Sequence, residues 1–133
     1  MGRVFVDTSA AYALLDAGDA AHARARRAFG RLRDREDALV TTSYVLVETC
    51  ALVLRRLGLP ALRTFREEFS PLLDVVWVDA RLHDEALDLL LARRRASLSL
   101  VDAASFVAMR RAGIEEAFAF DRHFQEEGFA FPG

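Results

Sequence analysis

Four acidic residues interrupt otherwise apolar stretches of this chain. Asp7 follows Arg-Val-Phe-Val, and Glu48 lies inside Val-Leu-Val-Glu-Thr-Cys-Ala-Leu-Val. Asp102 follows Leu-Ser-Leu-Val, and Asp121 follows Ala-Phe-Ala-Phe. Carboxylates gathered in one place repel one another and their pKa values rise, unless a cation keeps them ionised. An all-oxygen donor set without His or Cys favours Mg²⁺ or Mn²⁺ over Zn²⁺. Such ions keep open water positions, and two of them about 3.5–4 Å apart can generate hydroxide and stabilise the leaving oxygen of a phosphodiester. The chemistry these residue types suggest is metal-assisted hydrolysis.

Each acid also has a structural account. Asp7 can cap a helix starting at Thr8, and Asp121 can cap the turn Arg122-His123-Phe124. Ser99 and Asp102 have the spacing of a capping box. Glu48 is the hardest to explain this way. On a helix its i−3, i+3 and i+4 neighbours are Val45, Ala51 and Leu52. A carboxylate on such a face is costly to bury without a partner, and Arg55 or Arg56 is the structural alternative to a metal.

The elements that must position these acids follow from periodicity and punctuation. Residues 3–6 read as a buried strand ending at Asp7, and 8–16 carry helical spacing. Residues 20–33 form an Arg-rich amphipathic helix, and 39–41 a short strand. Thr42 or Ser43 caps a helix to about residue 57, which Gly58 closes; Pro60 opens the next. A strand over 75–78, helices over 81–94 and 99–112, a strand over 117–120 and a short strand over 129–131 complete the chain. This alternation predicts an α/β protein, a three-layer α/β/α sandwich around a mostly parallel central sheet, with residues 1–133 as one domain. In open α/β sheets, sites form beyond the carboxyl ends of the strands, so Asp7 and Asp121 belong on one edge. Asp121 is expected at the margin of the cluster, reaching a metal through water.

Composition bounds the function. The chain has 133 residues, 53% hydrophobic and 29% charged, enough to bury a core without staples. Its apolar runs are too short to span a bilayer, and the N-terminus has no signal-peptide pattern, so a cytoplasmic location is expected. Cys50 is the only cysteine, which rules out an intramolecular disulfide and suits a small core residue. All 18 basic residues are Arg. Without Lys, a P-loop is excluded, and so are aspartyl-phosphate phosphotransferases and receiver domains.

Taken together, the stretches Val4-Phe5-Val6-Asp7-Thr8-Ser9, Thr41-Thr42-Ser43-Tyr44-Val45-Leu46-Val47-Glu48, Leu98-Ser99-Leu100-Val101-Asp102 and Ala119-Phe120-Asp121-Arg122-His123-Phe124 resemble the PIN-domain family. Within it they are similar to the VapC-type toxins of bacterial toxin–antitoxin pairs, over essentially the whole chain. The resemblance implies a Mg²⁺- or Mn²⁺-dependent endoribonuclease, an RNA substrate, an antitoxin partner that blocks the site, and a homodimer. It implies that Asp7, Glu48, Asp102 and Asp121 are the catalytic, metal-binding acids. The hydroxyls of Thr8, Ser9 and Ser99 would support them. Val101 stands where relatives often have Thr or Ser, and Ser43 where they often have Asn. A PIN-type nuclease of RNA processing without a toxin role, and a non-catalytic PIN-like interaction module, are the alternatives.

For RNA phosphates, Arg93, Arg94, Arg95, Arg110 and Arg111 flank the segment carrying Asp102, with Arg24 among further candidates. The formal net charge of −2 is no obstacle, since two bound divalent ions reverse its sign. His123 is expected at a surface helix start, and Trp77 and most Phe residues in the core.

Overall fold

The computed structural model describes residues 2–133. Four strands, β1 (Arg3–Val6), β2 (Ala38–Thr42), β3 (Leu73–Val76) and β4 (Glu116–Phe118), form one sheet in the order β3-β2-β1-β4. All pairings are parallel, with Phe5 opposite Val40 on one side and Ala117 on the other. Parallel neighbours need crossovers, and helices supply them. Helices α1 (Thr8–Leu15) and α2 (His22–Asp34) join β1 to β2, and α3 (Ser43–Leu57) and α4 (Leu59–Thr64) lead towards β3. Helices α5 (Ala80–Arg93) and α6 (Leu100–Ala112) return the chain to β4, and the short α7 (Arg122–Glu126) follows.

The layers can be read from β1, whose side chains alternate between the two faces of the sheet. Val4 and Val6 pack with Ala10, Ala11 and Ala13 of α1, Ala25, Ala28 and Leu32 of α2, and Phe65 and Phe69. Phe5 points the other way, into Phe106 and Met109 of α6 and Phe124 of α7. Val4, Phe5 and Val6 are buried because strands pair on both sides and helices cover both faces, which produces the expected α/β/α sandwich. Cys50 packs half-buried against the α1/α2 side. Among the described residues, no helix is long and apolar enough to cross a membrane.

The chain moves outward from β1 to β3 and then crosses back to β4 on the far side of β1. The β1/β4 boundary is therefore the topological switch point, where an open α/β sheet leaves a crevice beyond its strand ends.

Several elements differ from the sequence reading. The third strand starts two residues early, at Leu73, and ends at Val76. Trp77 consequently lies outside the sheet and is 73% exposed, not part of the core. The fourth strand ends at Phe118, so Ala119 and Phe120 carry the chain from the sheet to Asp121. Residues 129–131 add only one bridge, Ala130 to Glu116, because Pro132 follows with no N–H to extend a ladder. The helix opened near Pro60 runs into a π-helical turn, Phe65–Phe69, which turns both of its aromatic rings inward.

Candidate active site

The switch-point crevice is built around Asp7. Its backbone N–H donates to the Phe118 carbonyl at 3.1 Å, locking the ends of β1 and β4 together. Asp7 is the N-cap of α1: its Oδ2 accepts from Ser9 N at 3.2 Å and from Ser9 Oγ at 2.7 Å. Ser9 Oγ in turn accepts the Phe120 N–H at 2.9 Å, so one hydroxyl ties Asp7 to the segment that carries Asp121. The second oxygen, Asp7 Oδ1, is buried and has no hydrogen-bond partner. Burial, with Asp102 and Glu48 nearby, pushes the Asp7 carboxyl up to about 7, against the two bonds from Ser9.

Asp102 stands in the first turn of α6 in the capping box anticipated from sequence. Ser99 Oγ accepts from Asp102 N at 3.0 Å, and Asp102 Oδ2 accepts from Ser99 N at 3.3 Å. Burial first, then the charges of Asp121 and Glu48, raise its pKa. Asp121 caps α7, accepting from His123 N at 2.9 Å. The caps predicted for Asp7, Asp102 and Asp121 are therefore all present. They do not account for Oδ1 of Asp7, nor for three carboxylates placed close enough to disturb one another.

Glu48 lies on α3, half-buried, and forms no ion pair among the described residues. The Arg partner considered for it is not there; the Arg56 guanidinium instead lies over the Tyr12 ring, 5.4 Å from its centroid. Thr8 does not turn its hydroxyl to the crevice. Thr8 Oγ1 lies 2.9 Å from Thr49 Oγ1, in a buried contact between α1 and α3 one residue from both Asp7 and Glu48.

The four acids share one electrostatic neighbourhood but not one coordination sphere. Among the described residues, the set of three or more candidate ligands whose atoms all lie within 4.8 Å of one another is Asp102, Asp121 and His123. Asp121, expected at the margin, is thus in the tightest group, while Asp7 and Glu48 stand back. Asp7 is turned to Ser9 and Asp102 to Ser99. His123 is 7% exposed, not a surface residue as anticipated. Its spacing of three residues from Glu126 on a helix was the available signal, since an imidazole paired with a carboxylate is a common arrangement around metals.

The arginine clusters proved to be braces. Arg93 and Arg110 bind the Glu127 carboxylate at 2.8 and 2.7 Å, and Arg95 bridges Glu126 and Glu127. Arg111 pairs with Glu85. Arg94 ends α5 in a left-handed conformation and makes no ion pair among the described residues. Arg24 is placed differently: its guanidinium lies 4.4 Å from the Phe131 ring centroid and 5.3 Å from that of Phe120, one residue from Asp121.

The family model for the PIN domain matches residues 4–129. Relatives from two strains of Mycobacterium tuberculosis, both called 23S rRNA-specific endonuclease VapC20, are 38% identical over 127 residues, 95% of either chain. The crystal structure of Mycobacterium tuberculosis VapC20, a sarcin–ricin loop cleaving toxin, superposes with a TM-score of 0.83 at 37% identity, covering 96% of both chains.

Proposed function

Because this chain belongs to the PIN-domain family, we propose that it is a metal-dependent endoribonuclease and the toxin of a toxin–antitoxin pair. Its substrate class is RNA, with large-subunit ribosomal RNA favoured by the 38% identity to enzymes named for that target. The single observation that carries the catalytic reading is Asp7 Oδ1, a buried acceptor with no donor, beside other carboxylates. A buried polar atom left without a partner costs roughly 1–3 kcal/mol, and a cation removes that cost.

Asp7, Glu48, Asp102 and Asp121 would hold Mg²⁺ or Mn²⁺, a fit supported by their oxygen donors and mutual repulsion. Such an ion, when bound, supplies Lewis-acid polarisation and an activated water for phosphodiester hydrolysis. The protein's part is positioning. Ser9 holds Asp7 and the strand-to-α7 segment in fixed relation, Ser99 orients Asp102, and the Thr8–Thr49 contact sets α3 and hence Glu48. Arg24, braced on two aromatic rings beside Asp121, is the RNA phosphate contact we favour, with Arg94 as a second free charge. Arg93, Arg95, Arg110 and Arg111 have their charge committed within the protein.

A toxin of this kind works in the cytoplasm under the control of a cognate antitoxin, and we propose that it does so as a homodimer with one nuclease domain per chain. The test is cleavage of ribosomal RNA with Mg²⁺ or Mn²⁺, comparing the wild type with Asp7→Asn and Glu48→Gln. Undiminished cleavage in both variants would sink the reading. Growth arrest on expression, relieved by a neighbouring gene's product, tests the toxin role.

A further inference from the structure

The imidazole of His123 is the one nitrogen donor at a site otherwise lined by oxygen. One of its ring nitrogens lies within 4.8 Å of carboxylate oxygens of both Asp102 and Asp121. The ring is 7% exposed, so it is not a solvated side chain that happens to pass the site. Nδ1 is engaged by Glu126 Oε1 at 3.2 Å, which leaves Nε2 as the nitrogen without a partner. A metal-ligating histidine usually carries a carboxylate on its other nitrogen, which fixes the ring, so Nε2 is the nitrogen assigned to the ion here. The backbone fixes the relative positions as well, because His123 N donates to Asp121 Oδ1 at 2.9 Å. Asp7, set back from this group but within range of the Asp102 charge, has a buried Oδ1 with no partner, an independent sign that the crevice is built for a cation.

Resting on the metal-dependent reading above, we propose that His123 is a direct nitrogen ligand to a divalent ion shared with Asp102 and Asp121. The consequence is selectivity. Neighbouring ligands on a small octahedral ion lie roughly 3.0 Å apart and opposite ones roughly 4.2 Å, so the three donors must draw together when the ion binds. Mg²⁺ takes oxygen ligands and gives up water reluctantly, whereas imidazole suits transition ions. A centre of two carboxylates and one imidazole therefore favours Mn²⁺ over Mg²⁺ more than the four acids alone would.

The test uses the full chain, stripped of metal, and Mn²⁺ or Mg²⁺ added alone. Pulsed electron paramagnetic resonance of the Mn²⁺-loaded wild type is expected to show coupling to a ¹⁴N nucleus, absent in His123→Gln. Calorimetric titration of that variant should show Mn²⁺ affinity lowered by more than the roughly 10–100-fold typical of losing an outer partner, with Mg²⁺ affinity changed far less. Glu126→Gln keeps the ring and should retain the nitrogen coupling with a smaller loss of Mn²⁺ affinity. Mn²⁺ binding without nitrogen coupling in the wild type overturns the proposal, and this holds even if His123→Gln fails to fold. Equal Mn²⁺ affinity in wild type and a folded His123→Gln also overturns it. RNA cleavage, assayed separately, distinguishes the two readings. Cleavage without nitrogen coupling removes only the histidine ligand. Nitrogen-coupled Mn²⁺ without cleavage removes only the nuclease. A wild type that binds neither ion removes both.

Discussion

Thr8 Oγ1 and Thr49 Oγ1 lie 2.9 Å apart in the buried seam between α1 and α3, and each residue is the chain neighbour of a candidate metal ligand, Asp7 and Glu48. Both threonines are buried, and the Thr8 hydroxyl also reaches the Val45 carbonyl at 3.4 Å. Removing the Thr8 hydroxyl strands that of Thr49, whereas removing the Thr49 hydroxyl leaves Thr8 the Val45 carbonyl, and replacing both with methyl groups strands neither. Thr8→Val is expected to cost about 1–3 kcal/mol and Thr49→Val less, with the double variant below their sum. Urea unfolding of the four proteins measures this coupling. Strict additivity would mean that the contact does not hold the two acids in place.

Asp7 makes metal-free stability depend on pH. Its folded pKa of about 7 lies above the ordinary 3.8, so between those values the folded chain binds more protons than the unfolded one. Stability must then fall as pH rises through that window, the reverse of an ion-paired carboxylate. In the metal-free protein, Tm is expected to be higher near about pH 5 than near about pH 7.5, with Asp7→Asn reducing the difference by stabilising the neutral-pH state. Added Mn²⁺ should raise the wild-type Tm at neutral pH and do much less for the variant. Cleavage by Asp7→Asn should fall by more than the roughly 10–100-fold typical of an outer metal partner.

Glu127 is the counterpart of the opposite sign. Bonds from Arg93 and Arg110 hold its carboxyl down at about 2, and through it the ends of α5, α6 and α7 are joined. Its contribution is fully present above the ordinary 4.5 and disappears as pH falls towards 2. Since the arginines are 37% and 44% exposed, solvent screens the pairs, and Glu127→Gln should cost about 1–3 kcal/mol. Denaturant midpoints measured at neutral and acid pH should converge for wild type and variant at the acid end.

Arg24 and Arg111 separate substrate contact from structural bracing. Arg24→Ala should weaken RNA binding and lower the slope of log K against log salt by about 0.7, the value for one phosphate contact to a single strand. Arg111→Ala removes one of the two arginine partners of Glu85, leaving Arg81, and should lower stability slightly with little change in that slope. Binding titrations across a salt series decide between them. An unchanged slope for Arg24→Ala would remove it from the RNA contact surface.

Much of this molecule is legible in local signals. Val4-Phe5-Val6 is apolar on both faces because β1 is covered on both, and such a run identifies itself. Gly58 at φ 90 and Gly113 at φ 70 end α3 and α6 where sequence punctuation places the ends. Signals failed where the deciding partner was distant. The third strand is set by pairing Leu39 with Leu73 and Thr42 with Val76, which no property of the run 75–78 reveals. In sequence the arginines read as phosphate contacts, but Arg93 and Arg110 share a glutamate 34 and 17 residues away.

The same division applies to the acidic site. Sequence alone determined which residues are acids, which of them follow strands or start helices, and that Glu48 sits in an apolar helix, because each is a property of a few consecutive residues. Tertiary structure decided which oxygen of Asp7 is left without a donor, that Thr8 spends its hydroxyl on Thr49, and that Asp121 stands with Asp102. It also turned His123 inward, to 7% exposure against the two carboxylates. These outcomes depend on how strand ends and helix starts converge across a sheet whose order places β4 beside β1, and that convergence is a long-range property of packing.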